Sequence, residues 1–94
     1  MLRFLQDGPA LRPVCFHVEA DAEPGLLPRL LAPFARRDLC PDRVRAQRHG
    51  HALRAELAMD EMPSEMVHLV EGNLRQIVGV RRVTVELRAL PLAA

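Results

Sequence analysis

The chain has 94 residues, of which 49% are hydrophobic and 27% charged, a composition typical of one small globular domain rather than a disordered segment. Thirteen basic residues nearly cancel twelve acidic ones, and the only aromatic residues are three phenylalanines, which argues against a nucleic-acid-binding module with a basic, aromatic face. No apolar run reaches the ~18 residues of a membrane span and residues 1–7 lack a signal-peptide core, so we expect a cytoplasmic protein with no membrane partner.

The first predicted strand follows an N-terminal tail. Residues 1–13 contain Gly8-Pro9 and Pro13, which favour irregular backbone. Apolar and polar residues then alternate over 14–20, which predicts a strand with one buried face. The inward residues are expected to be Val14, Phe16 and Val18, and the outward ones Cys15, His17 and Glu19.

A helix is predicted over 24–37. Its expected buried stripe, spaced at i, i+3, i+4 and i+7, is Leu27, Leu30, Leu31 and Phe34. Pro24 or Pro28 fits a first turn, where no intrahelical N–H bond is lost, whereas Pro33 falls inside the periodic run and predicts a bend.

The turn between this strand and this helix is the most plausible small-ligand site in the sequence. It comprises Asp21, Ala22, Glu23, Pro24 and Gly25. The glycine lets a ligand or a backbone come close, and a helix N-terminus presents backbone N–H groups without intrahelical partners. The alternative is that Gly25 only permits a tight strand-to-helix turn.

The rest of the chain predicts two strands, a helix and a last strand. After a connection at 38–42, strands over 43–49 and 51–59 flank a hairpin turn at Gly50. Residues 60–64 are expected to open the second helix, Gly79 to cap it, and residues 80–87 to form the fourth strand. The stripe that this helix is expected to bury is Met66, Val67, Val70, Leu74 and Ile77. Residues 88–94 are a predicted C-terminal tail.

The order β-α-β-β-α-β predicts an α+β, ferredoxin-like domain. Right-handed crossovers close it into a four-stranded antiparallel sheet of order 4-1-3-2, with both helices on one face. The other face and both edges of so small a sheet remain open, so we expect a homodimer or a higher homo-oligomer.

Little in the sequence supports catalysis, so we predict no enzyme, no catalytic residue, no metal and no cofactor. Serine and threonine each occur once, at Ser64 and Thr84, and two cysteines are too few for a disulfide scaffold. His49 and His51 flank a turn without an evident third metal ligand. His17 is expected to join a polar network on the open face. The side chains of Met59, Met62 and Met66 form an adaptable binding surface or, as we prefer, fill the junction between strand three and helix two.

Two stretches resemble the ACT domain, the small-molecule sensing module of amino-acid metabolism. The sequence VEADAEPGLLPRLLAPFARRDL, residues 18–39, is similar to the family's strand, acidic-x-Pro-Gly-x-Leu turn and amphipathic helix. LRQIVGVRRVTV, residues 74–85, resembles its closing strand. PFARRDLCP, residues 33–41, is similar to the regulatory small subunit of acetohydroxyacid (acetolactate) synthase, an enzyme of branched-chain amino-acid biosynthesis.

The resemblance implies an ACT-like domain over 14–87 that regulates rather than catalyses. In that family an amino-acid effector binds at a subunit interface, which points to Gly25 and Leu26 for its carboxylate and to Cys40 and Pro41 from the second subunit. From charge alone, Asp21 would meet the ammonium group. Departures in this sequence, such as Pro41 without an N–H, leave two alternatives: an effector-binding regulator of a larger catalytic subunit, or an interaction subunit that docks without a ligand.

Overall fold

The computed structural model describes residues 10–87, which form a sheet of four strands with two helices. In chain order the elements are β1 (Leu11–Asp21), α1 (Leu26–Ala35), β2 (Arg43–His49), β3 (Ala52–Pro63), α2 (Val67–Arg75) and β4 (Val80–Leu87). All neighbouring strands are antiparallel in the order β2-β3-β1-β4, which confirms the predicted ferredoxin-like topology. The predicted tail at 88–94 and residues 1–9 of the predicted N-terminal tail lie outside the described residues.

Both central strands are longer than predicted, because they pair with each other beyond the expected ends. Leu11 pairs with Pro63 and Arg12 with Met62, so residues 60–63 are strand rather than the opening of a helix. The register shifts between Arg12 and Val14, at Pro13. Proline has no N–H to donate to the ladder, and a local irregularity accommodates it.

One face of the sheet carries the core, and both helices pack on it. Phe16 of β1 and Phe34 of α1 meet edge to face, with ring centroids 5.5 Å apart. Val70 and Leu74 of α2 belong to the same buried cluster. Because residues of both helices share one cluster with one face of β1, the helices lie on the same side, as predicted.

The buried stripe of α1 differs from the predicted one. Its buried residues are Leu26, Leu30, Pro33 and Phe34. Leu27 and Leu31 remain 40% and 37% exposed, so the prediction was wrong at these two positions. The helix is rotated toward the side on which Pro33 packs, and a proline can bury its ring as well as any apolar side chain.

The ends of both helices also differ in detail from the prediction. Gly25 adopts φ +82 immediately before α1, so the helix begins at Leu26 rather than at residue 24. Asp38, at φ +57, follows the C-terminal end of α1, where the Leu39 N–H donates to the Phe34 carbonyl at 2.9 Å. After α2 ends at Arg75, Gly79 at φ +97 forms the turn into β4 rather than a helix cap.

The methionine group fills the junction between β3 and α2. Met59 and Met62 are buried, and Met66, in the 3-10 turn Ser64–Met66, packs against the same core. This confirms the preferred prediction of a structural role. Within residues 10–87, neither helix has the length and apolar character needed to cross a lipid bilayer.

Candidate functional site

The turn between β1 and α1 is held by backbone hydrogen bonds to two neighbouring turns. The Asp21 N–H donates to the Gly79 carbonyl and the Ala22 N–H to the His51 carbonyl, both at 2.8 Å. A Cβ built on Gly25 meets nothing within 4 Å, so the glycine is required by its positive φ rather than by a lack of space. The turn is therefore fixed at its base and open around Gly25.

A cleft of about 390 Å³ opens beside this turn, a volume within the range of small-molecule sites. The turn and the start of α1 form one wall, and the other carries two residues of the β2–β3 hairpin. The lining residues are Ala22, Glu23, Pro24, Gly25, Leu26, Leu27, Pro28, Arg48 and Leu53. Five of the eight sequence-predicted ligand residues, Ala22 to Leu26, thus line one cleft.

Arg48 is the charged cleft residue that sequence reasoning missed, and the cleft residues Leu27, Pro28 and Leu53 were not predicted either. Arg48 pairs with Leu53 across the β2–β3 ladder, and its Nε donates to the Gly50 carbonyl at 2.9 Å. This bond holds the guanidinium at the hairpin. The signal was available, because a strand was predicted over 43–49 and its period of two places Arg48 on the same face as Val44 and Ala46.

The acidic residue on the cleft wall is Glu23, while Asp21 is engaged elsewhere. The Asp21 carboxylate accepts hydrogen bonds from Nε and Nη2 of Arg81 on β4, at 2.6 and 3.3 Å. This hydrogen bond, and then the charge of Asp21, raise the pKa of the Arg81 guanidinium. Glu23 lines the cleft, with Oε1 at 4.0 Å from Nη2 of Arg29.

Cys40 and Pro41 lie at the opposite end of the sheet from the cleft of the same chain. The adjacent Asp42 N–H donates to Ala58, whereas Asp21 at the cleft end pairs with Ala52. Six residues of strand separate these two positions on β3, a distance of ~20 Å. A single chain therefore does not bring Cys40 and Pro41 to the turn.

The edge strand β2 is exposed along its whole length. All of its residues, Arg43–His49, are exposed, and in the described part of the chain only β3 pairs with it. Val44, which is 45% exposed, pairs with the buried Leu57 and so lies on the helix side of the sheet. The exposed Leu27 and Leu31 lie on that side too.

The open face of the sheet carries the predicted polar network around His17. Its Nε2 lies 2.9 Å from Oε1 of Glu86, and its Nδ1 lies 3.9 Å from Oε2 of Glu56. Glu56 in turn lies 3.9 Å from Arg45. The network is on the face opposite the helices and is separate from the cleft.

Comparisons with known proteins identify the family. The family model of the ACT-like domain matches residues 9–92, which include every strand and helix described above. Neither the curated proteins nor the solved structures gave a significant match. Domains of this kind are often regulatory and often bind ligands, in keeping with a cleft at the β1–α1 turn. The chain therefore belongs to the ACT-like domain family.

Proposed function

We propose that this domain is a non-enzymatic regulatory module that binds a small amino acid at the interface between two copies of the chain. The observation that carries the proposal is the cleft at the β1–α1 turn. It places the negatively charged Glu23 and the positively charged Arg48 on the walls of one small cavity beside the open edge of β2. A zwitterion offers one charge to each.

The carboxylate of the amino acid would bind Arg48 and the start of α1. A guanidinium donates two parallel N–H bonds to a carboxylate, and the positive end of a helix dipole adds to this attraction. The Leu26 N–H donates to the Glu23 carbonyl at 3.2 Å and Pro28 has no N–H. The Leu27 N–H is therefore the helix donor that would bind the carboxylate.

The rest of the ligand is selected by charge and by apolar contact. Glu23 would take the ammonium group in place of Asp21, whose carboxylate is bound by Arg81. Leu27 and Leu53 supply apolar lining for the side chain. These groups favour a small aliphatic amino acid, such as valine, leucine or isoleucine, and hence a role in branched-chain amino-acid biosynthesis.

The second copy would complete the site through β2. If β2 pairs antiparallel with its own copy around Ala46, the residues before Arg43 in one chain lie beside those after His49 in the other. Cys40 and Pro41 of one copy then reach the hairpin next to the other copy's cleft. Within each chain Arg43 pairs with Asp60 at 2.9 Å and Arg45 lies 3.9 Å from Glu56, which reduces repulsion between the two basic strands.

Thermal unfolding with a panel of amino acids tests the ligand. An effector at 100 times its dissociation constant should stabilise the protein by about 2.7 kcal/mol, and the melting temperature should rise by roughly 10 °C or more. Arg48→Gln should remove this shift. Arg45→Gln is the matched control, because Arg45 lies on the same strand but faces the open side, and it should keep the shift.

Sedimentation velocity tests the interface separately. The wild type should sediment as a dimer, and Val44→Arg should shift it toward the monomer because it places a positive charge directly opposite Arg48 of the other copy. Leu69→Arg is the control, since Leu69 is similarly exposed, at 52%, but lies on α2 away from β2. A monomeric wild type would exclude the two-copy site.

The alternative function is an interaction subunit that docks on a larger catalytic subunit without binding an effector. A dimer whose melting temperature responds to no amino acid at millimolar concentration would favour this alternative. Purified acetohydroxyacid synthase catalytic subunit provides the direct assay. A change in its activity that depends on valine when the domain is added would indicate an effector-binding regulator. The same change with and without valine would indicate a subunit that docks without a ligand.

A further inference from the structure

Three potential metal ligands meet on the open face of the sheet, away from the cleft. Cys15 and His17 are two residues apart on β1 and so share a face, and Cys15 pairs directly with Glu86 of β4. The Cys15 Sγ, a ring nitrogen of His17 and a carboxylate oxygen of Glu86 all lie within 4.8 Å of one another. Neighbouring strands of one ladder therefore bring a sulfur, a nitrogen and an oxygen together.

We propose that Cys15, His17 and Glu86 bind a zinc ion. Zinc is bound in proteins by all three of these donor types, at ~2.3 Å for sulfur and ~2.0–2.2 Å for nitrogen and oxygen. Tetrahedral geometry at these lengths sets the donors about 3.3–3.7 Å apart, so the side chains need to move by only about an ångström. Three protein ligands leave the fourth position to a water molecule or a small anion.

The backbone under these ligands is firmly held. β1 is a central strand that pairs with β3 on one side and β4 on the other through this region. The Cys15 side chain is at the floor of the site, in a residue only 3% exposed, whereas the side chains of His17 and Glu86 are 38% and 49% exposed. A metal ion can therefore enter from solvent between the histidine and the glutamate and meet the sulfur below them.

Glu56 lies within a small side-chain movement of supplying the second interaction that zinc-bound histidines usually have. The Nε2 of His17 faces Glu86 at 2.9 Å, while its Nδ1 lies 3.9 Å from the Glu56 carboxylate. A carboxylate that accepts a hydrogen bond from one ring nitrogen fixes the tautomer in which the other nitrogen binds the metal. On binding, the Cys15 thiol releases its proton to solvent, and one thiolate and one carboxylate neutralise the divalent ion.

Titration with zinc alone, against a chromogenic chelator, and with cobalt as a coloured substitute tests the proposal. We expect one metal ion per chain and a thiolate-to-cobalt charge-transfer band. Cys15→Ser should abolish the band, and Glu56→Gln should lower zinc affinity about 10- to 100-fold, as expected for a group that orients a ligand. Cys40→Ser removes the other thiol, which is exposed and outside the group, and should bind metal like the wild type.

Several outcomes would overturn the assignment. Absence of stoichiometric binding would do so, as would a cobalt band that persists in Cys15→Ser or disappears in Cys40→Ser. If Cys15→Ser does not fold, Glu86→Gln decides the matter, because Glu86 is half exposed on an edge strand. It should retain the wild-type circular dichroism spectrum and bind zinc at least 10-fold more weakly, and unchanged affinity would refute the site. Neither result depends on amino-acid binding in the cleft.

Discussion

Two glycines of this domain have room for a methyl group but differ in backbone conformation. Gly25 joins β1 to α1 at φ +82, whereas Gly72 lies within α2. A Cβ built on either one meets nothing within 4 Å. Alanine at these positions therefore introduces no clash, and the pair of variants isolates the effect of the backbone.

The two substitutions should change stability in opposite directions. An L-residue in the left-handed region costs about 1–2 kcal/mol, so Gly25→Ala should destabilise the domain by about that amount. Gly72→Ala should stabilise it by about 0.5–1 kcal/mol, because alanine is the better helix former. Both substitutions reduce the conformational entropy of the unfolded chain by the same amount, so this effect cancels when the two variants are compared. Their free energies of unfolding should therefore differ by about 1.5–3 kcal/mol. For a domain of this size the melting temperatures should differ by roughly 6–20 °C.

Urea unfolding followed by circular dichroism measures this difference. Protein concentration must be the same in all samples, because self-association would add to the apparent stability. Gly25→Asn is a useful third variant, since asparagine tolerates the left-handed region, and it should be less destabilised than Gly25→Ala. Equal midpoints for Gly25→Ala and Gly72→Ala, or a stabilised Gly25→Ala, would refute the left-handed turn on which the cleft depends.

Two further pairs of substitutions test the packing of α1 and the contact between its C-terminal end and α2 by the same unfolding assay. Leu30→Ala should cost about 2–5 kcal/mol because Leu30 is fully buried, whereas Leu31→Ala should cost less than about 1 kcal/mol. Comparably large losses at both positions would restore the stripe expected from the sequence. Asn73→Ala should cost about 1 kcal/mol, since Oδ1 of Asn73 accepts a hydrogen bond from Nη1 of Arg37 at 2.7 Å. In a double-mutant cycle with Arg37→Met, the losses of the two single variants should not add.

The topology was predictable because local patterns in the sequence define each strand, helix and turn. Alternation over each strand and the turns at Gly25 and Gly50 were enough for the element order, and the handedness of crossovers gave the strand order. The same alternation placed His17 on the open face. The position of a cleft at the β1–α1 turn was also within reach, since a glycine before a helix provides both space and N–H donors.

What the sequence did not show depends on how distant segments pair. Alternation tells which face a residue occupies but not which residue it opposes, so the meeting of Cys15 with Glu86 requires the ladder register. The extension of β3 to Pro63 has the same origin, because only pairing with β1 keeps those residues extended. The rotation of α1 was not predicted because Pro33 was expected only to bend the helix, whereas in the fold its ring is buried in the core.

The exposure of β2 affects how the domain opens as well as how it assembles. This strand contributes no buried residue, and within residues 10–87 its ladder runs to β3 alone. Local opening of β2 therefore costs less free energy than opening of the central strands, and its amide hydrogens should be among the first in the sheet to exchange with solvent. Pairing along its outer edge would add a second ladder of backbone hydrogen bonds there. Assembly would therefore give the largest stabilisation to the strand that is held most weakly in one copy.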